Sequence, residues 1–173
     1  MKNIILTGFM GSGKTTVGKI LGRRLGLEYV DLDAEIEKRA GRTISEIFEE
    51  EGEAAFRVME TEAIRDLEGR SGIVVATGGG AVVRDENRRM LRDSGLIVNL
   101  VAKAADIELR LAAAKDRPLL DGDRKAKIPV LLAEREVHYA EADVRIDTSG
   151  KNVEDVATEI IEFLKENLAT CRN

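Results

Sequence analysis

Short apolar runs alternate with amphipathic stretches along the 173-residue chain. Apolar runs of strand length that are rich in β-branched residues predict β-strands buried on both faces. The predicted strands are residues 4–6, 29–33, 73–77, 96–101 and 144–147. Apolar residues at helical spacing from Val17 to Leu25 predict the first helix, with Gly26 as its end. Later helices are predicted up to Gly41, from a capping box formed by Thr43 and Glu46, around residues 107–111, and at residues 53–67, 86–93, 129–139 and 153–168.

The alternation of strands and helices predicts right-handed crossovers and an all-parallel sheet. We therefore predict a single α/β domain over residues 1–173, in three layers, with five strands between flanking helices. In folds of this kind, ligands bind at the carboxyl ends of the strands. The segments that directly follow predicted strands are thus the first candidates for chemistry.

Residues 8–16, here called the phosphate loop, lie between the first predicted strand and the first helix. Their sequence, GFMGSGKTT, fits the pattern G-x-x-x-x-G-K-[ST], in which backbone N–H groups and a helix N-terminus surround phosphate oxygens. An ordinary glycine-rich turn is the alternative, but the order of strand, loop and helix favours a nucleoside triphosphate site. Lys14 would reach the β- and γ-phosphates, and the Thr15 hydroxyl would hold Mg²⁺. The residues expected to contact the nucleotide here are Gly11, Ser12, Gly13, Lys14, Thr15 and Thr16.

Two carboxylates, Asp31 and Asp33, end the second predicted strand. Residues two apart in an extended segment point to one side of a sheet, so we expect both beside the phosphate loop. One carboxylate could serve Mg²⁺ through its water shell, while the other accepts a proton from an attacking hydroxyl. The alternative for either residue is that it caps the following helix. The third predicted strand ends in Thr77, so it supplies no further acid.

Glycines and arginines complete the set of candidate ligand contacts. The run from Gly78 to Gly80 follows the third predicted strand, where missing side chains allow close backbone approach to a ligand. Arginine is suited to bidentate recognition of carboxylate or phosphate, and three arginines lie near the proposed ligand edge. They are Arg57, Arg117, in a segment resembling a lid, and Arg135. Taken singly, each arginine is more typical of a solvated surface charge than of a ligand contact.

Composition and charge exclude several classes of function. A net charge of −5 and a pI near 5.2 argue against broad binding to nucleic acid or anionic membranes. Cys171 is the only cysteine, which excludes an internal disulfide and a thiolate metal cluster. The sequence shows no secretory signal and no apolar run of membrane-spanning length. We expect a cytoplasmic protein that acts as a monomer.

Several segments keep one family's order and spacing over nearly the whole chain. They are residues 8–16, 31–33, 41–48, 52–57, 78–82 and 117–120, and Arg135 with Tyr139. In this combination the chain resembles the shikimate kinase family, which transfers the γ-phosphate of ATP to the 3-hydroxyl of shikimate. The resemblance implies a nucleoside monophosphate kinase-type fold with sheet order 2-3-1-4-5. It also implies acceptor-binding helices at about residues 33–60 and a mobile lid at about residues 112–126.

The resemblance assigns roles on the acceptor side of the site. Asp33 would orient and deprotonate the shikimate hydroxyl. Arg57 and Arg135 would bind the shikimate carboxylate, and the backbone of Gly78, Gly79 and Gly80 would line the same pocket.

On the nucleotide side, the resemblance implies ATP as co-substrate and Mg²⁺ as cofactor, with Asp31 assisting the metal beside Thr15. Arg117 would bring the lid onto the phosphates. Arg110 would stack on adenine, and the loop that contains Asn152 would lie on the other side of the base.

Two rival functions are consistent with parts of the same pattern. A kinase for another small acceptor, such as gluconate or a nucleoside monophosphate, would share the phosphate loop and the arginines. A nucleotide-binding module that has lost catalysis would also keep the fold. The triple glycine together with the acidic pair favours shikimate over the first rival. The presence of Lys14, Thr15, Asp33 and Arg117 argues against the second.

Overall fold

The computed structural model describes residues 2–112 and 124–170, which contain a five-stranded parallel sheet. The strands are β1 (Asn3–Thr7), β2 (Glu28–Asp31), β3 (Ile73–Ala76), β4 (Gly95–Val101) and β5 (Val144–Asp147). Their spatial order is β2-β3-β1-β4-β5, and every neighbouring pair is parallel. The predicted α/β class and strand order are confirmed.

Helices connect the strands and cover both faces of the sheet. They are α1 (Lys14–Leu25), α2 (Leu32–Ala40), α3 (Ile44–Glu50), α4 (Gly52–Arg65), α5 (Asp85–Ser94), α6 (Ala104–Leu111), α7 (Arg124–Tyr139) and α8 (Val153–Thr170). The predicted end of α1 is confirmed, because Gly26 adopts a left-handed φ of 66° at its C-cap. Helix α3 begins with a capping box, in which Thr43 and Glu46 bond each other's backbone N–H groups.

The core is divided between the two faces of the sheet. On one face, Ile4 and Leu6 of β1 pack with buried residues of α1 and α8, such as Val17 and Ile160. On the other face, Ile5 belongs to a cluster that includes buried residues of α4, α5, α6 and α7. This division follows from the alternation of side chains along β1. The predicted three-layer arrangement is therefore confirmed.

The second strand ends earlier than predicted. Strand β2 ends at Asp31, whose carboxylate Oδ1 accepts a hydrogen bond from the Ala34 N–H at 3.4 Å and caps α2. Asp33 consequently lies in the first turn of α2. The prediction of one extended segment through Asp33 is wrong, because the cap at Asp31 begins a helix two residues sooner.

Helix α7 begins five residues before its predicted start and contains Pro129. Proline removes one backbone donor from a helix interior, which is why the sequence suggested a start there. Ile128 is fully buried in the core, so packing of this turn outweighs the missing hydrogen bond. Most of the predicted lid, including Arg117, lies outside the described residues, whereas residues 124–126 belong to α7. Within the described residues, no helix is both long and apolar enough to span a bilayer.

Candidate active site

The segments that follow the strands border a common cavity of about 590 Å³ at the carboxyl end of the sheet. The phosphate loop follows β1, the start of α2 follows β2, and the run Gly78–Gly80 follows β3. Helix α4 contributes Arg57 to the lining, and α7 contributes Arg135. This edge is the expected location for ligands in a parallel α/β sheet. The described part of the cavity thus combines a phosphate-binding end with a cationic and acidic end.

The phosphate loop turns on glycines with positive φ, including Gly11 at 79° and Gly13 at 101°. The Lys14 ammonium group donates to the Gly8 carbonyl at 2.8 Å and to the Phe9 carbonyl at 3.0 Å. It therefore rests on the backbone of its own loop. These neutral carbonyl contacts hold the ammonium group beside the loop amides, at the position from which it would reach a bound phosphate.

Thr15 and Asp31, the predicted metal-binding pair, lie in direct contact. The Thr15 hydroxyl donates to Asp31 Oδ2 at 3.1 Å, and the Tyr29 hydroxyl donates to the same oxygen at 2.9 Å. Burial of the phenol, and then the charge of Asp31, raise the pKa of Tyr29 above its ordinary value. A hydroxyl beside a carboxylate is a donor set that fits Mg²⁺, which usually keeps several water ligands. Within the described residues, no cluster of three or more acidic, histidine or cysteine ligands occurs.

Arg57 is held by two carboxylates from its own helix. Its guanidinium donates to Glu60 Oε2 at 2.9 Å and to Glu53 Oε1 at 2.9 Å. The Glu60 side chain is 1% exposed and that of Arg57 is 11% exposed, so this ion pair is almost fully removed from water. Burial opposes the charge on Arg57, but the two carboxylates outweigh burial and raise its pKa.

Glu60 is a site residue that the sequence analysis missed. Burial raises the pKa of its carboxyl, and the nearby charge of Arg57 only partly offsets this effect. Its second oxygen, Oε1, is buried and makes no hydrogen bond within the described residues. The available signal was its position three residues after Arg57, because residues at this spacing share one face of a helix.

The glycine run provides space that side chains would fill. A Cβ atom at Gly78 would lie 2.7 Å from Glu60 Oε1 and 2.8 Å from Asp33 Oδ1, and one at Gly80 would lie 2.5 Å from Arg57 Nη1. None of the three residues has a positive φ, so glycine is required here for close approach. The structure thus brings this run against Asp33 and Arg57, and their joint role in binding an acceptor stays a prediction.

Arg135 approaches the same glycines from α7. Its guanidinium lies 5.6 Å from the centroid of the Phe9 ring and donates to the Gly79 carbonyl at 3.2 Å. The Tyr139 hydroxyl donates to the same carbonyl, and burial raises its pKa to about 12. Arg57 and Arg135 therefore flank consecutive glycines. We call Asp33, Arg57, Glu60, Arg135 and residues 78–80 the acceptor pocket.

Arg110 joins the phosphate loop to the segment after β5. It donates to the Gly11 carbonyl at 3.1 Å and to the carbonyl and hydroxyl of Thr148 at 2.9 and 3.0 Å. Asn152 borders the cavity, but its side-chain oxygen accepts from the Asp155 N–H at 2.9 Å and caps α8. Nucleotide contacts for both residues, and for Ser12 and Thr16, remain predictions.

A family model and similar proteins from other organisms indicate the same family. A family model described as shikimate kinase matches residues 10–165. A shikimate kinase from Geobacter sulfurreducens is 56% identical over 96% of this chain and 92% of the relative. A shikimate kinase from Geobacter metallireducens is 51% identical over 95% of this chain and 93% of the relative.

Solved structures agree with the sequence comparisons. The shikimate kinase from Acinetobacter baumannii in complex with shikimate has a TM-score of 0.94 at 40% identity, over 96% of this chain and 94% of that chain. A gluconokinase from Sinorhizobium meliloti 1021 has a TM-score of 0.62 at 18% identity, over 99% of this chain and 98% of that chain, a likeness that shows the fold alone. The resemblance found in the sequence motifs is confirmed: the chain belongs to the shikimate kinase family.

Proposed function

We propose that this chain transfers the γ-phosphate of ATP to the 3-hydroxyl of shikimate within the cavity at the carboxyl end of the sheet. The observation that carries the proposal is that one cavity joins the phosphate loop to an acceptor pocket with both cationic and acidic groups. Family membership implies ATP as phosphate donor. The shikimate complex of the Acinetobacter enzyme supports shikimate as acceptor.

The two arginines suit the carboxylate of shikimate. Arg57 and Arg135 flank Gly79 and Gly80, so their guanidinium groups can converge on one anionic group. Glu60 and Glu53 form ion pairs with Arg57, and these contacts limit the rotamers that Arg57 can adopt. A guanidinium positioned in advance loses less conformational entropy when it binds a carboxylate.

The acidic oxygens suit the hydroxyl groups of shikimate. Asp33 Oδ1 and Glu60 Oε1 lie 2.8 and 2.7 Å from the position that a Cβ atom at Gly78 would occupy, so both carboxylates border the glycine run of the pocket. In the proposed reaction, Asp33 orients the 3-hydroxyl and accepts its proton as the oxygen attacks the γ-phosphorus. Phosphoryl transfer proceeds through a loose transition state, so alignment and charge neutralisation contribute more than early proton removal. Lys14 would neutralise charge on the β- and γ-phosphates.

Thr15 and Asp31 are the residues that would hold Mg²⁺. Bound there, the ion would neutralise charge on the phosphate oxygens of ATP. The hydrogen bond from Thr15 to Asp31 occupies the hydroxyl proton and leaves the oxygen lone pairs of Thr15 available. The sequence also predicts that Arg117 acts on the phosphates.

ADP production with ATP and Mg²⁺ tests the acceptor directly. We expect strong stimulation by shikimate and none by gluconate or nucleoside monophosphates. Stimulation by another acceptor would retain the phosphate chemistry but overturn the proposed acceptor pocket. Nucleotide binding without turnover with any acceptor would instead support the binding-module alternative.

A further inference from the structure

Tyr29 connects β2 to the predicted metal pair. Tyr29 and Asp31 lie two residues apart, at a spacing that places side chains on one side of a strand. The Tyr29 hydroxyl donates to Asp31 Oδ2 at 2.9 Å, and the Thr15 hydroxyl donates to that same oxygen at 3.1 Å. One carboxylate oxygen therefore joins the phenol to the phosphate loop.

The ring of Tyr29 packs against two glycines of α1. A Cβ atom at Gly18 would lie 2.5 Å from Tyr29 Cε2, and one at Gly22 would lie 3.3 Å from Tyr29 Cβ. These glycines are four residues apart, so they form one continuous groove along the helix. Glycine is unfavourable in a helix interior, and here it admits the aromatic ring. The groove thereby determines where the phenol oxygen lies.

We propose that Tyr29 is a positioning residue for the metal–nucleotide site. Its hydroxyl fixes the Asp31 carboxylate, which in turn accepts the hydrogen bond from the Thr15 hydroxyl, so that the Thr15 lone pairs are directed away from Asp31. A hydrogen bond from a neighbouring group to a metal-binding residue orients that residue. Removing such a bond commonly changes metal affinity tenfold or more. The inference rests on the proposed function, because that proposal assigns Mg²⁺ to Thr15 and Asp31.

The test compares ADP affinity with and without Mg²⁺. Tyr29→Phe removes the hydroxyl and keeps the ring in its groove. The quantity compared is the factor by which Mg²⁺ raises ADP affinity, here called the Mg²⁺-dependent gain. Titration calorimetry should show that this factor is about tenfold smaller in Tyr29→Phe than in the wild type. The ADP dissociation constant in EDTA should stay within about twofold of the wild-type value, since the Tyr29 hydroxyl contacts the side chain of Asp31 and its proposed effect on ADP depends on the metal.

Three further variants make the result specific. Tyr139→Phe, the same chemical change beside the acceptor pocket, should leave the Mg²⁺-dependent gain unaltered. Gly18→Ala should reproduce the loss seen in Tyr29→Phe, because the added methyl group would overlap the Tyr29 ring and displace it from the groove. Asp31→Asn should reduce the gain at least as much as Tyr29→Phe.

Each alternative result has a distinct meaning. Equal weakening of ADP binding with and without Mg²⁺ in Tyr29→Phe would show a packing role and overturn the inference. An unchanged gain in Tyr29→Phe beside a lost gain in Asp31→Asn would overturn the role of Tyr29 alone. An unchanged gain in Asp31→Asn would overturn the metal assignment in the proposed function, and the inference with it.

Discussion

The two ends of the cavity hold their cations in different ways. At the nucleotide end, the Lys14 ammonium rests on the backbone carbonyls of Gly8 and Phe9. At the acceptor end, Arg57 is held by the carboxylates of Glu53 and Glu60. Lys14 is held by neutral carbonyls in these contacts, whereas Arg57 is held by two carboxylates and can keep both ion pairs while it binds a carboxylate. The acceptor end is therefore more fully assembled before ligands bind.

This difference has an energetic basis. A buried ion pair is costly to break by removing one partner, because the other charge stays buried without compensation. A hydrogen bond from an ammonium group to a neutral carbonyl leaves no second buried charge when it is exchanged for a contact with a ligand. The four predictions below test or refine this contrast, in order of decreasing expected effect.

Asp33→Asn should have the largest effect on the reaction. The change keeps the shape of the side chain but removes its capacity to accept a proton. We expect kcat to fall by about 10³-fold, while shikimate and ADP affinities change by less than about threefold. Steady-state kinetics and titration calorimetry measure these quantities. Near-normal turnover would remove Asp33 from the mechanism.

Glu60→Ala should destabilise the fold more than Lys14→Met does. Loss of Glu60 deprives the largely buried Arg57 of a partner, and we expect the free energy of unfolding to fall by about 3 kcal/mol. Lys14→Met keeps the aliphatic stem, and the Phe9 carbonyl still accepts from the Ser12 N–H at 3.1 Å, so we expect a loss of about 1 kcal/mol or less. Urea denaturation measures both values. Equal losses would abolish the contrast between the two ends.

Arg57→Ala should weaken shikimate binding by about 30-fold without changing ADP affinity, because it removes one of two carboxylate-binding groups. Titration calorimetry with each ligand tests this result. Arg65→Ala is the matched control on the same helix, since Arg65 forms an ion pair with Glu86 in which both side chains are more than half exposed. Unchanged shikimate affinity in Arg57→Ala would refute the carboxylate role.

The smallest expected effect is a pH dependence of stability that comes from Glu60. Folding raises the pKa of this carboxyl above its ordinary value of 4.5, so the folded state binds more protons than the unfolded state in that window. The contribution of Glu60 to stability should therefore be lost as pH rises from about 4.5 through the raised pKa. The difference in unfolding free energy, Glu60→Gln minus wild type, should therefore increase over the same pH range and then level off. Urea denaturation between about pH 4 and 8 measures this difference, and a decrease would contradict the assignment.

Local patterns in the sequence were sufficient for most of the fold. The apolar run of β3 and the capping box at Thr43 depend on neighbours within a few residues, so their interpretation did not require the rest of the chain. The same holds for the phosphate loop, whose glycines are needed by backbone geometry within the loop itself. The errors arose where local signals competed. At Asp31 a helix cap ended the strand early, and at Ile128 core packing extended a helix across a proline position.

The acceptor pocket was only partly accessible from the sequence. Asp33, Arg57 and Arg135 were identified through motifs, but their partners were not. Glu60 lies on a helix with many charged residues, and nothing in its immediate sequence marks it as buried. Only the folded chain shows that Glu60 belongs to the pocket, because the backbone at Gly78, after β3, packs against its carboxylate.

The sequence by itself determined the order of the elements, the parallel sheet, the phosphate loop and the family, because these depend on periodicity and on motifs within short segments. Only the tertiary structure decided which groups meet across the cavity. Arg110 contacts Thr148, 38 residues away, and Thr15 contacts Asp31, 16 residues away, through elements brought together by packing. Burial and charge balance are properties of such long-range contacts. For this reason the ion pairs of Arg57, the raised pKa of Glu60 and the packing of Tyr29 against α1 could be seen only in the folded chain.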